Sequence, residues 1–269
     1  NVPPFAASFL RFAVATVLLM GIHLIRDRRP FRFSARQWAW LAFLGLTGVF
    51  LYNFFLFSGV RVVPAGRSSV MVAMNPVIVA TVSAVAFHER LTLLRVLGAL
   101  IALCGVAWAI SGGRPGALLH GAAGWGELYI LGAVICWATY TLAGKPVTRE
   151  LSPLVATTYA CLIGTVALAG PAVLEGGLAG VRDFGPLLWV SFLYLGALGT
   201  VVAFVMYYAA IRRVGPSRAA VFLNLIPVFA IALSGPLLGE RLTPALLVGA
   251  AMVIGGVFLT SRQVRREET

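Results

Sequence analysis

Long apolar runs alternate with short polar joints along the whole chain. Nine runs are long enough to cross a bilayer as helices, at about 20 residues each: 4–25, 38–58, 66–87, 93–111, 126–144, 154–174, 187–209, 217–238 and 244–261. The joints carry the turn and charge signals, among them "RDRRPFRFSARQ", "SGGRPGALLHGAAG" and "IRRVGPSR". Each run is continuous rather than alternating, so helices are predicted and a transmembrane barrel is not. The joints leave no room for a soluble domain. The expected fold is all-α and polytopic.

Composition agrees with this pattern. Of 269 residues, 60% are hydrophobic and 11% charged, with a mean hydropathy of +0.93. Such a chain has too few polar side chains to clothe a soluble fold. The net charge of +12 does not indicate nucleic acid, because the basic residues sit in joints rather than on one face. Fifteen of the 21 lysines and arginines fall in one set of alternate joints and five in the other, with Arg11 inside a span. The richer side is predicted to be cytoplasmic, which puts the C-terminus inside and residue 1 outside. A start on the outside predicts one further helix before Asn1 and ten spans in all. Cys104, Cys136 and Cys161 lie in apolar runs, and the three histidines are scattered. Neither a disulfide nor a metal site is expected, and no cofactor.

Sliding the chain by 151 positions aligns it with itself. "HERLT" (88–92) meets "GERLT" (239–243). Arg61 meets Arg212, Arg67 meets Arg218, and Pro76-Val77 meets Pro227-Val228. Gly45, Gly48, Gly98 and Gly105 meet Gly196, Gly199, Gly249 and Gly256. Upstream, Pro4 in "PPFAASFL" corresponds to Pro153 in "SPLVATTY" at an offset of 149. Five crossings separate Glu89 from Glu240. Five is odd, so the two copies are predicted to point in opposite directions, as in many secondary transporters.

Two five-helix repeats, an "NP" or "IP" in the fourth helix of each and a following "ERLT" resemble the EamA-type branch of the drug/metabolite transporter superfamily. The resemblance covers essentially the whole chain. It implies a first repeat over 1–111 and a second over 124–269. It also implies export or exchange of small metabolites across a bacterial inner membrane, and the chain is most similar to the amino-acid exporters, the aromatic amino-acid group included.

Polar and aromatic side chains inside spans are where function is expected. Tyr52 and Asn53 lie mid-span; Trp137 and Tyr140 are one helical step apart; Tyr159 and Tyr207 lie in later spans. With Asn75 and Asn224, these are the candidate cavity residues. The asparagines have a competing role, pairing carbonyls freed by the nearby prolines or bonding another helix. Pro76 and Pro227 are predicted to kink their helices and serve as hinges, or simply to curve them. Arg11 lies about 10 Å from its helix end, at 1.5 Å per residue. It can bond helix-end carbonyls or attract a substrate carboxylate, and the structural role is the preferred reading. Arginine at this place is also part of the EamA pattern.

No acidic residue falls mid-span, so gradient-driven transport or exchange is expected rather than proton coupling. The alternatives are a drug or toxic-cation efflux carrier or a nucleotide-sugar-like carrier of the same fold. An intramembrane enzyme would need paired Asp, an HExxH run or an activated Ser, and none is present. The expected partners are a small-molecule substrate and lipid, and the expected unit is a monomer.

Overall fold

Ten helices follow from the apolar runs in the computed structural model, which describes residues 2–26, 33–86, 93–114, 124–181, 184–220, 223, 229 and 243–264. In chain order they are α1 (Pro4–Arg26), α2 (Ala35–Val60), α3 (Ala65–Val72), α4 (Asn75–Ala86), α5 (Leu93–Ile110), α6 (Trp125–Glu150), α7 (Pro153–Leu174), α8 (Pro186–Val214), α9 (Pro216–Ala220) and α10 (Pro244–Val264). No strand occurs among the described residues. Six helical stretches are long and apolar enough to span a membrane, and shorter apolar helices lie at Val96–Ile110 and Pro244–Thr260. Many large apolar side chains face outward, Val17 and Leu187 at 71% and 80% exposure among them, as suits a surface in contact with lipid. Asn224, Pro227, Glu89 and Glu240 lie outside the described residues.

Local chemistry sets the helix starts. Ser34 caps α2 in a reciprocal capping box with Gln37. Ser152 accepts from the Val155 N–H, with Pro153 in the first turn of α7. Thr243, which ends the second ERLT phrase, accepts from the Leu246 N–H at 3.2 Å ahead of Pro244. Gly215, at φ +84°, turns the chain between α8 and α9 in a single residue.

Pro76 produces a break rather than a kink. The run 66–87 divides into α3 and α4 at Ala73–Met74, and Pro76 stands in the first turn of α4. There its missing N–H leaves nothing unbonded, and the Val77 and Ile78 N–H groups return to the Met74 carbonyl.

Both α2 and α8 contain a wide, π-helical stretch, at Gly45–Leu51 and Ala197–Val202. These are corresponding positions at the repeat offset of 151. The N–H of Tyr52 reaches back to the Thr47 carbonyl, and that of Ala203 to the Leu198 carbonyl, five residues earlier in each case.

The chain divides into two compact units, each drawn from both halves of the sequence: Asn1–Phe54 with Ala143–Arg213, and Phe55–Leu142 with Val214–Thr269. In the first unit α1 and α7 run antiparallel. The Phe5 N–H donates to Glu175 at 2.9 Å, Thr16 bonds Thr165, and His23 meets the ring of Tyr159. The π stretch of α2 packs on α7, and that of α8 on α1. Glycine makes both joints possible. A Cβ at Gly45 would stand 2.6 Å from the Ala160 carbonyl oxygen, and one at Gly196 3.1 Å from that of Arg11. In the second unit α5 and α10 pack antiparallel through four glycines. A Cβ at Gly105 would lie 2.7 Å from the Gly249 oxygen, and one at Gly249 2.7 Å from the Gly105 oxygen; Gly98 and Gly256 oppose each other likewise. Close backbone approach of this kind supplies packing where lipid gives no hydrophobic drive. Val70, Val77, Ala102, Val134, Val253 and Val257 belong to the core around this seam.

Candidate functional site

The polar groups of the first unit gather where α1, α2 and α7 meet. Arg11 projects from α1 with its guanidinium carbon 4.6 Å from the centre of the Phe12 ring. Its Nε is buried and has no hydrogen-bond partner among the described residues. The charge lies within electrostatic reach of the Tyr52 hydroxyl and the Cys161 thiol. Tyr52 and Asn53 follow directly on the π stretch of α2. One wide turn rotates the residues beyond it relative to a plain α-helix, so the turn sets the direction of both side chains. Asn53 is 1% exposed, and its amide donates to the Val49 carbonyl at 2.6 Å. Beneath them Thr16 and Thr165 hydroxyls are 3.0 Å apart, and Thr165 donates to the Cys161 carbonyl at 2.7 Å.

Other predicted residues of this unit lie elsewhere. Tyr159 belongs to an aromatic cluster with His23, Phe33 and Trp38, at ring separations of 5.8, 4.7 and 5.9 Å. Tyr207 is half-buried on α8, whereas its neighbour Tyr208 is fully buried against Gly144. The two tyrosines thus face differently, as consecutive helical residues must.

The second unit holds Asn75, Trp137 and Tyr140. Asn75 is fully buried, and its amide donates to the Val134 carbonyl on α6 at 3.2 Å. Of the roles open to it, the geometry shows the bond to another helix. Its Oδ1 has no partner among the described residues. Trp137 and Tyr140 share a face of α6, with ring centres 5.4 Å apart and Tyr140 1% exposed.

An ion pair that the joints did not reveal also lies in this unit. Arg67, near the start of α3, contacts Glu127 in the first turn of α6 at 3.1 Å and donates to the Ile110 carbonyl at 2.5 Å. The other Glu127 oxygen accepts from the Gly124 N–H at 2.8 Å. One arginine thereby ties together the ends of α3, α5 and α6. In the first unit Arg36 pairs with Glu150 at the surface. The three cysteines are free, and no cluster of three His, Cys, Asp or Glu gathers among the described residues.

Apolar spans, lipid-facing side chains and repeat-equivalent helices packed antiparallel define a multi-pass, all-helical membrane protein. The EamA-like transporter family matches residues 1–111 and 124–262; the chain belongs to this family. The probable terminal-alkyne amino-acid exporter of Streptantibioticus cattleyicolor is 31% identical over 97% of this chain and 86% of that protein. The uncharacterised transporter YetK of Bacillus subtilis is 29% identical over 97% and 79%, and an Archaeoglobus fulgidus transporter 30% identical over 97% and 89%. A solved crystal structure shares the fold, with a TM-score of 0.67 and 22% identity over 97% of this chain and 89% of that one.

Proposed function

We propose that the chain is a secondary carrier that exports or exchanges small neutral or zwitterionic metabolites, amino acids foremost, by alternating access. The observation that supports this most is the reciprocal packing of corresponding helices within each unit: α1 on α7 about Thr16–Thr165, and α5 on α10 about Gly98, Gly105, Gly249 and Gly256. Inverted repeats joined in this way give two conformations of similar energy, and a carrier then needs no reacting group. The amino-acid exporter among the relatives supports the substrate class. The family resemblance supports a bacterial inner membrane, and the charge bias of the joints supports a cytoplasmic C-terminus.

The described acidic residues Glu127, Glu150 and Glu175 all lie at helix ends. Glu127 is committed to Arg67 and Gly124. Transport is therefore driven by the substrate's own gradient or by exchange. A cationic-drug carrier is disfavoured by the Arg11 charge within a span, and a nucleotide-sugar carrier wants several basic groups to hold its phosphates.

Proteoliposome counterflow with radiolabelled neutral amino acids, nucleosides and cationic dyes tests this reading. Saturable amino-acid exchange is expected, indifferent to an imposed pH gradient. Transport of dyes or nucleosides alone would overturn the substrate class.

A further inference from the structure

The pseudo-twofold relation in the first unit reveals where its two halves differ. At the repeat offsets Arg11 corresponds to Ala160, Tyr52 to Ala203, Asn53 to Phe204 and Cys161 to Phe12. One side therefore holds a guanidinium, a phenol, an amide and a thiol. The other holds two alanines and two phenylalanines, and Phe12 and Phe204 stack edge to face at 6.0 Å. Both joints are otherwise built alike: the Ala160 carbonyl faces Gly45 as the Arg11 carbonyl faces Gly196. Since alanine suffices for the same packing at 160, packing does not require arginine at 11. The polar pair Arg11 and Tyr52 is present together on one side and absent together on the other.

Among the described residues the buried Nε of Arg11 has no hydrogen-bond partner, and its guanidinium packs on the Phe12 ring. A guanidinium stays charged whatever its surroundings. At this depth in a bilayer an uncompensated charge is costly, and the face of Phe12 orients it without neutralising it. An anion shaped for a planar fork would answer this charge, with Tyr52 as a further donor.

We propose that Arg11 and Tyr52 form a carboxylate-binding site, so that the transported molecule carries a carboxylate. This rests on the carrier reading above and narrows its substrate class to amino acids and other small carboxylates. Arg11 takes the carboxylate through two N–H groups, the Tyr52 hydroxyl donates to it, and the rest of the substrate needs no charged partner here.

The test uses the detergent-purified full chain. Its melting temperature is measured with acetate and benzoate, each against the corresponding amide, in wild type, Arg11→Gln, Arg11→Lys and Tyr52→Phe. The carboxylates stabilise wild type and the amides do not. Arg11→Gln weakens apparent affinity by about 10- to 100-fold, the scale of a charge-assisted bidentate pair. Arg11→Lys retains part of the response, and Tyr52→Phe loses about threefold to tenfold. If Arg11→Gln does not fold, Tyr52→Phe and Arg11→Lys decide. Equal action of acid and amide, no response to any carboxylate, or an undiminished response in Arg11→Gln and Tyr52→Phe would overturn the site. Amino-acid counterflow separates the two readings: Arg11-dependent carboxylate binding without amino-acid exchange sinks the amino-acid substrate and leaves the site. Exchange of equal rate and affinity in wild type and Arg11→Gln sinks the site and leaves the carrier.

Discussion

Thr16 and Thr165 occupy the same position of the two repeats, 149 residues apart, and hydrogen-bond to each other at 3.0 Å. The Thr165 proton goes to the Cys161 carbonyl, so Thr16 is the donor of the pair. Side-chain bonds between membrane helices are worth about 0.6 kcal/mol each. A Thr16→Val, Thr165→Val double-mutant cycle should therefore give a coupling of about 0.5–1.5 kcal/mol, read from detergent melting or denaturant titration. A coupling indistinguishable from zero would show that the bond contributes nothing to the α1–α7 pair.

The glycine seam predicts opposite outcomes for two residues of one helix. Gly249→Ala drives a methyl into the Gly105 carbonyl and Ala109, and overpacking costs about 1–3 kcal/mol. Gly255→Ala meets nothing within 4 Å and should leave the melting temperature unchanged or slightly raised, since alanine is the better helix former. Equal effects of the two substitutions would remove the seam from the account.

Glu127→Gln keeps the shape of the side chain and removes its charge. Arg67 then loses its ion pair, with both groups largely shielded at 24% and 10% exposure. Stability should fall by about 1–3 kcal/mol. Arg67→Gln combined with Glu127→Gln should cost less than the sum of the two single changes. Substrate exchange in liposomes should show the same insensitivity to a pH gradient in Glu127→Gln as in wild type. A pH response present in wild type and lost in the variant would instead make Glu127 a coupling residue.

Pro76→Ala restores an N–H in the first turn of α4, next to the break at Ala73–Met74. A continuous helix through the break becomes available, and its interior would otherwise bear a proline penalty of about 3 kcal/mol. The variant should melt higher and turn over more slowly, with substrate affinity kept. Unchanged turnover would mean that the break serves packing alone.

The spans were legible because apolar length is a strong signal, and the Thr243–Pro244 start because capping is local chemistry. The π stretches at Gly45–Leu51 and Ala197–Val202 were not. In a run apolar on every side, periodicity carries no information about the number of residues per turn. The Arg67–Glu127 pair was not legible either, since nothing local shows that two distant helix ends meet. Trp137 and Tyr140 share a face as their spacing requires. Tyr159 reads from sequence as a cavity candidate by its place in a span, while Trp38 and Phe33, far away in sequence, pack around it. The repeat itself announced which helices correspond, but not that each compact unit would borrow from both copies.

That interleaving has a consequence for how the protein is made. Neither unit closes until late in synthesis, because α1 needs α7 and α5 needs α10. At ~5–20 residues per second, α5 waits roughly 8–30 s in the membrane before Val264 is added. During that interval the glycine face of α5 has no partner from its own chain. Assembly is thus a matter of timing, and α10 completes a unit whose first residues are made well before it.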